Sequence, residues 1–393
     1  MSAVPTDLDA RALRREILGR TRCVVVKVGS AVLTSDQGLE PQAVGRLVDQ
    51  IAALHDQGLE VVLVSSGAVA AGRTRIRQSV QGAESIDFAE LPSRQAASSI
   101  GQSRLMHAYD EAFGRFGKTV AQILLTREDL RSRARFRNAR NTIRRLLDWG
   151  VVPIVNENDT VAVAELKFGD NDTLASLMVD LVGADLFVNL TSADGVFDKN
   201  PDKHPGAACV PMIADIESLD IAAMCDGKTS VGSGGMYSKL RAARRAAQLG
   251  VPTLIVSGKG ALALTRIFAG EVLGTLVLPC ARLVSHRKFW LAYHDEPAGT
   301  VGVDAGAAKA LREHGKSLLP AGILQVEGRF ERGALVRIVD HEGRHVGVGQ
   351  SNYSGQELVL IMGRKSAELP SILGEAPWPE AVHRDNLLLD AAL

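Results

Sequence analysis

Two lysines stand where a lysine is costly unless an anion lies close by. Lys27 interrupts the apolar run VVVKVGS just before Gly29 and Ser30, and Lys239 falls in the first turn of the helix that follows the glycine loop VGSGGMYSK. An ammonium at the end of a buried strand is strongly penalised without a partner, and a cation in a first helical turn opposes the macrodipole. Bound phosphate relieves both. Gly29 and Ser30 at one junction, and Ser233, Gly234 and Gly235 at the other, offer backbone N–H and hydroxyl donors to phosphate oxygens. For Lys27 taken alone, a strand-end lysine that snorkels to the surface remains an alternative.

A second group of residues is suited to a small polar acceptor. SSGAVAAG places Ser65, Ser66 and Gly67 directly after a valine-rich strand, where small residues let a ligand approach the backbone, although a simple tight turn would read the same way. The segment NENDTVAVAELKFGDNDTLA gathers Asn156, Glu157, Asn158, Asp159, Asp170, Asn171 and Asp172 around one short excursion. Helix capping accounts for one or two of these seven. The remainder suits recognition of a substrate ammonium and the ordering of a metal-bound nucleotide.

Other chemistries are excluded by what is missing. No G-x-x-x-x-G-K-[ST] occurs, because Ala112, Ala222 and Ala310 stand where the first glycine would be. No G-x-G-x-x-G follows the first strand, and H-R-D and D-F-G are absent. The four cysteines form no C-x-x-C and the nine histidines no H-x-x-x-H, which argues against a disulfide framework or a structural zinc. Lysine plus arginine equals aspartate plus glutamate at 45 each, so no global field recruits nucleic acid or an anionic membrane. With no apolar h-region at the N-terminus and no 18-residue apolar run, a cytoplasmic location is expected.

The elements that must position these residues read as an α/β protein. At 393 residues, with 46% hydrophobic and 23% charged side chains, two globular domains are expected. Apolar runs at 23–28, 61–64, 151–155, 186–190 and 253–256 alternate with helical stretches, the signature of a mainly parallel sheet between helix layers. Helices are expected over 41–57, ended by Gly58, over 131–149, with Phe136, Ala139, Ile143 and Leu146 on one face, and over 238–249. The eight arginines between Arg127 and Arg145 read as a solvated face or subunit contact. Past residues 276–283, the runs KFWLAY, ILQVEG, ALVRIVD and ELVLIMG read as strands of a small β-rich domain. The expected domains are 1–280 and 281–363, with 364–393 as an appended extension.

Taken in order, KVGS, SSGAVAAG, GQSRL, LLTREDL, RFRNARNT, VPIVNENDTVA, GDNDTLA, LTSADGVF and GSGGMYSK resemble the glutamate 5-kinases of the amino-acid kinase superfamily. PAGTVGVDAGAAKAL, GKSLLPAGI and GRFERGALVRI resemble that family's C-terminal PUA domain, so the resemblance spans nearly the whole chain. It implies an amino-acid kinase fold and ATP-dependent phosphorylation of the γ-carboxylate of L-glutamate to glutamyl 5-phosphate, the first step of proline biosynthesis. Feedback inhibition by proline is implied too. A side-chain carboxylate with a pKa of about 4.3 is already ionised at neutral pH, so the lack of any histidine-centred base motif is expected.

By resemblance, Lys27, Lys239 and Asp172 are the catalytic set: Lys27 contacts the nucleotide phosphates, Lys239 the transferring group, and Asp172 orients the lysines. Ser66, Asp159 and Asn171 fall where the family binds glutamate. Gly29, Ser30, Thr191, Ser192, Ser233, Gly234, Gly235, Met236, Tyr237 and Ser238 join the two lysines at the nucleotide. Mg²⁺ is expected to arrive with ATP, held by phosphates and water rather than by protein ligands. Thr191-Ser192 departs from the family's usual Thr-Asp, and GSGGMYSK lacks its usual threonines but keeps hydroxyls at Ser233 and Ser238. A homo-oligomer, dimer or tetramer, is expected, with the 131–149 helix as a candidate contact. A sister kinase of another carboxylate, carbamate or uridylate is the alternative within the fold. RNA binding by the PUA domain is the alternative outside it, disfavoured by ten Lys/Arg against nine Asp/Glu between Ala281 and Gly363.

Overall fold

The computed structural model describes residues 7–35, 37–162, 171–201, 203–225, 235–260, 262–281, 283–286, 288–290, 297–374 and 378–389. Ser233, Gly234 and Asp170, singled out from the sequence, lie outside them. The chain forms two compact units, Met1–Leu283 and Val284–Leu393.

In the first unit, helix α1 (Asp7–Arg20) leads to β1 (Cys23–Val28), the one-turn α2 (Ser30–Leu33), and an antiparallel pair of two-residue strands, β2 (Thr34–Ser35) and β3 (Gly38–Leu39). There follow α3 (Pro41–Asp56), β4 (Glu60–Val64), α4 (Ala68–Ser79), the long α5 (Leu91–Gly114) and β5 (Val120–Leu125). The chain continues through α6 (Arg127–Arg131), α7 (Arg133–Asp148), β6 (Val152–Glu157), α8 (Asn171–Val182) and β7 (Leu186–Thr191). It closes with β8 (Met212–Ile213), α9 (Ile221–Met224), α10 (Met236–Gln248), β9 (Thr253–Ser257), α11 (Ala263–Phe268) and β10 (Thr275–Val277).

The eight strands form one sheet in the order β5-β6-β4-β1-β7-β9-β10-β8, parallel except between β9 and β10. β1 lies in its middle, and all six of its residues are buried because helices cover both faces. Val24, Val26 and Val28 alternate onto the face packed with Val44, Leu47, Val48 and Ile51 of α3 and Leu105, Tyr109 and Phe113 of α5. Register sets Lys27 between Val64 of β4 and Asn189 of β7, at the carboxyl edge where α/β sheets bind ligands.

Several sequence expectations need correction. β5, β8 and β10 are strands not read from the sequence. β5 is a half-exposed edge strand broken by Gln122, and the other two span only two and three residues. The helix expected over 131–149 is α7, begun two residues later because Ser132 is extended and its side chain accepts the backbone N–H of Arg135, and the short α6 before it was not expected. The buried residues of α7 are Ile143 and Leu147, and Phe136, Ala139 and Leu146 are half-buried beside them, so the expected face is turned inward and extends to Leu147.

The second unit is a five-stranded sheet ordered β12-β11-β13-β14-β15, from β11 (Gly299–Val303), β12 (Ile323–Glu327), β13 (Leu335–Val339), β14 (His345–Ser351) and β15 (Val382–Leu389). Val301, Leu311, Ile338, Val346 and Tyr353 are among the residues of its core. Three expectations fail here. In KFWLAY, Lys288, Phe289 and Trp290 are helical rather than a strand, and the rest lies outside the described residues. ELVLIMG belongs to a helix, Gly355–Ile361, begun by a capping box between Ser354 and Glu357. Residues 364–393 are not an appended extension, because β15 pairs antiparallel with β14 and completes the sheet.

Candidate active site

Asp172, fully buried in the first turn of α8, is the centre of the site. Its Oδ1 lies 2.6 Å from Lys27 Nζ and accepts Asn189 Nδ2 at 2.8 Å. Its Oδ2 accepts Ser238 Oγ at 2.7 Å and Lys239 Nζ at 3.1 Å. Four donors thus take up the lone-pair directions of one carboxylate. Burial pushes the carboxyl pKa up, but Lys27 and then Lys239, with hydrogen bonds from Lys27 and Ser238, hold it below the usual range. Both lysines are 3% exposed, so the cluster carries two ammoniums on one carboxylate out of water. The net positive charge this leaves suits an incoming anion.

The local chain explains the arrangement. β1 brings Lys27 to the sheet edge, and Gly29 follows as the N-cap of α2, where a Cβ would sit in ordinary van der Waals contact with Lys27 Nζ, at 3.8 Å. Ser30 is exposed beside it. Gly235 is the N-cap of α10 with no side-chain cap, so the first N–H groups of a 13-residue helix start next to Lys239. Thr191, 6% exposed, ends β7, and its carbonyl accepts Gly258 N–H at 2.8 Å, while Ser192 is exposed at the strand exit. Gly235, Met236, Tyr237 and Ser238 line a cavity of about 290 Å³ whose apolar wall includes Val196, Phe197 and Met224. A larger cavity, about 690 Å³, opens between α3, α4 and α5, and none of the sequence-chosen residues lines it.

Ser66, Asn171 and Asp159 occupy the neighbouring edge. Gly67, at φ 101°, makes the left-handed turn from β4 into α4, and no side chain caps that helix. Asn171 Nδ2 lies 2.7 Å from Ser65 O, 2.9 Å from Ser66 Oγ and 2.9 Å from Asn156 Oδ1. Asp159 Oδ2 accepts Ser98 Oγ at 2.8 Å. Ser65 faces inward and pairs with Tyr109 at 2.9 Å; burial raises that phenol's pKa, so Ser65 belongs to the support beneath the site.

Sequence reasoning missed two sets of supporting residues. Asn189 is a lone amide inside the apolar strand LFVNLT, and its pairing with Asp172 depends on sheet order. The other set lies on α5. Gln95, Ser98, Ser99 and Gln102, spaced i, i+3, i+4 and i+7, share one face and hold the end of β6 and the segment after it. Gln95 donates to Ala162 O (3.1 Å), Ser98 to Asp159, Ser99 pairs with Thr160 (2.8 Å) and Gln102 accepts from Asn156 (2.9 Å). That spacing was the signal available in the sequence. α5 also meets α4 backbone to backbone, since a Cβ on Gly101 would lie 1.7 Å from Ala68 O and one on Gly72 1.7 Å from Ala97 O.

Comparison with known proteins agrees with this geometry. Residues 22–257 match the amino acid kinase family and residues 299–373 the PUA domain. The chain is 60% identical over 380 residues to the glutamate 5-kinase of Maridesulfovibrio salexigens, covering 97% of this chain and 99% of that protein. It is 59% identical over 386 residues to the glutamate 5-kinase of Oleidesulfovibrio alaskensis, covering 98% and 100%. With 58% identity over 380 residues, the glutamate 5-kinase of Nitratidesulfovibrio vulgaris strain DP4 is matched over 97% of this chain and 98% of its own length. The chain belongs to the amino acid kinase family, among its glutamate 5-kinases, and carries a PUA domain after the kinase region.

Proposed function

We propose that the protein transfers the γ-phosphoryl group of ATP to the γ-carboxylate of L-glutamate, giving glutamyl 5-phosphate and ADP. The observation that carries this reading is the pair of buried lysines held on Asp172, beside the uncapped start of α10. Lys27 and Lys239 would stabilise charge on the phosphoryl oxygens as the acceptor oxygen attacks and the bond to ADP breaks. The first N–H groups of α10 add donors, while the Ser238 hydroxyl proton stays directed at Asp172, and the apolar cavity beside Tyr237 suits the purine. The acceptor needs no base, since its carboxylate is ionised.

Ser66, Asn171 and Asp159 form the acceptor side. Asn171 Nδ2 has three acceptors for two protons, so the Ser66 hydroxyl can accept from it while directing its own proton to a carboxylate. Asp159 supplies the negative charge for the α-ammonium. Mg²⁺ would travel on the nucleotide and be held by phosphates and water, because the Asp172 oxygens are already taken by four donors.

Proline carries the same ammonium and carboxylate pairing without a side-chain acceptor, and competition at the Ser66–Asp159 pocket is the feedback this site supports. A homo-oligomer in contact through the arginine-rich face of α7, and residence in the reducing cytoplasm, complete the reading; none of the four cysteines is in a disulfide, and no described helix is long and apolar enough to cross a membrane. The assignment is tested by incubating the protein with ATP, Mg²⁺, hydroxylamine and a panel of acids, which traps an acyl phosphate as its hydroxamate. Glutamate-dependent hydroxamate, lowered by added proline, is expected. Its absence refutes the assignment.

A further inference from the structure

The amides beneath the acceptor pocket form a train whose direction is fixed by the backbone. Glu157 N–H donates to Asn156 Oδ1 at 2.9 Å, and a backbone N–H cannot exchange roles. Asn156 Nδ2 must therefore face Gln102, whose Oε1 accepts it at 2.9 Å, while Asn156 Oδ1 also takes Asn171 Nδ2. Gln102 Nε2, at the far end, is buried with no hydrogen-bond partner among the described residues. Gln102 is 7% exposed and Asn156 3%.

We propose that Gln102 is a positioning residue for the acceptor, acting through Asn156 on Asn171 and Ser66. The proposal rests on the reading that Ser66 and Asn171 hold the acceptor. Without the Gln102 oxygen, Asn156 Nδ2 is left buried and unpaired, and because the Glu157 N–H opposes a flip of the amide, the side chain lowers that cost by shifting from its present place. A shifted Asn156 no longer offers its Oδ1 to Asn171 Nδ2 at 2.9 Å. Asn171 and Ser66 then lose their set orientation, while the nucleotide side, built on Lys27, Asp172 and α10, keeps its own hydrogen bonds. The orphaned Nε2 shows that stability alone does not account for a glutamine here, since only its oxygen is used.

The test compares the full-length protein with Gln102→Met and Gln102→Glu by KM for each substrate, kcat and Tm. Methionine keeps the length but removes the oxygen. It exchanges one buried orphan amide group for another, so Tm is expected to stay within a few degrees. KM for the acceptor is expected to rise about tenfold, the value of one net hydrogen bond, with KM for ATP and kcat within about twofold. Glutamate keeps an acceptor oxygen and is expected to restore the acceptor KM to within about threefold of wild type. An unchanged acceptor KM in Gln102→Met overturns the proposal, as do equal rises in both KM values with a fall in Tm, or a Gln102→Glu protein no better than Gln102→Met. The variants are measured on whichever acid the wild type phosphorylates in the hydroxamate panel, so rejection of glutamate there and failure of the Gln102 series remain separate results.

Discussion

Lys27 Nζ lies 2.6 Å from Asp172 Oδ1, and the two side chains are 4% and 0% exposed. The other oxygen of the same carboxylate holds Lys239, so one aspartate fixes two cations that come from opposite ends of the kinase region. In water such a pair would be worth little. Here its removal leaves charges without hydration.

Asp172→Asn strands two buried ammoniums, and breaking a buried pair by removing one partner costs about 3–5 kcal/mol. A large loss of stability in denaturant melts is expected. Saturating ATP should raise the variant's Tm more than the wild type's, because triphosphate oxygens supply the missing negative charge. Equal ATP-induced shifts in the two proteins would contradict the charge argument.

The folded-state pKa of Asp172 lies below its unfolded value, so the unfolded chain binds the extra proton as acid is added. The group therefore contributes stability above the ordinary aspartate pKa of about 4, and that contribution is lost as pH falls toward the depressed value. Wild-type stability should fall steeply below about pH 4. In Asp172→Asn that part of the slope should be missing, as unfolding measured across the acid range will show.

Lys239→Ala is expected to lower kcat by about 10²–10³, the effect of removing one donor aimed at developing charge. Ser66→Ala should mainly raise KM for the acceptor, since its hydroxyl meets a carboxylate already present in the ground state. Steady-state kinetics on both substrates separates the two, and the reverse pattern would undo the division of roles.

Gly101→Ala places a methyl group 1.7 Å from the Ala68 carbonyl oxygen, which a helix backbone cannot absorb without moving. Overpacking of this kind costs about 1–3 kcal/mol. Because α4 begins directly after Ser66 and Gly67, the acceptor KM should rise along with the loss of stability, while KM for ATP holds. Calorimetry and kinetics on one preparation check both.

The central strands were readable because parallel strands covered on both faces are apolar throughout, and β1 begins and ends at the residues expected. Edge strands gave no such signal: β5 is half-exposed, and β8 needs its neighbour to be recognised at all. The strand expected at ELVLIMG shows the limit of apolar runs, since a helix resting on one face has the same composition over seven residues. At the site, the residues beside glycines at strand ends were legible because their chemistry is costly elsewhere. Asn189 and Gln102 were not, since each owes its role to a partner brought near by sheet order or by helix packing. The α5 stripe at 95, 98, 99 and 102 was present in the sequence, but its polarity resembles that of any solvated helix face.

The lysines of the Asp172 cluster arrive from the first strand of the sheet and from α10, the helix before β9. During refolding, β1, β4 and β6 can pair before α10 docks, giving a chain with much of its central sheet and one lysine of the two. Catalytic competence therefore requires both β1 and α10 in place, and regained turnover would time the docking of α10 in a way that recovery of secondary structure would not.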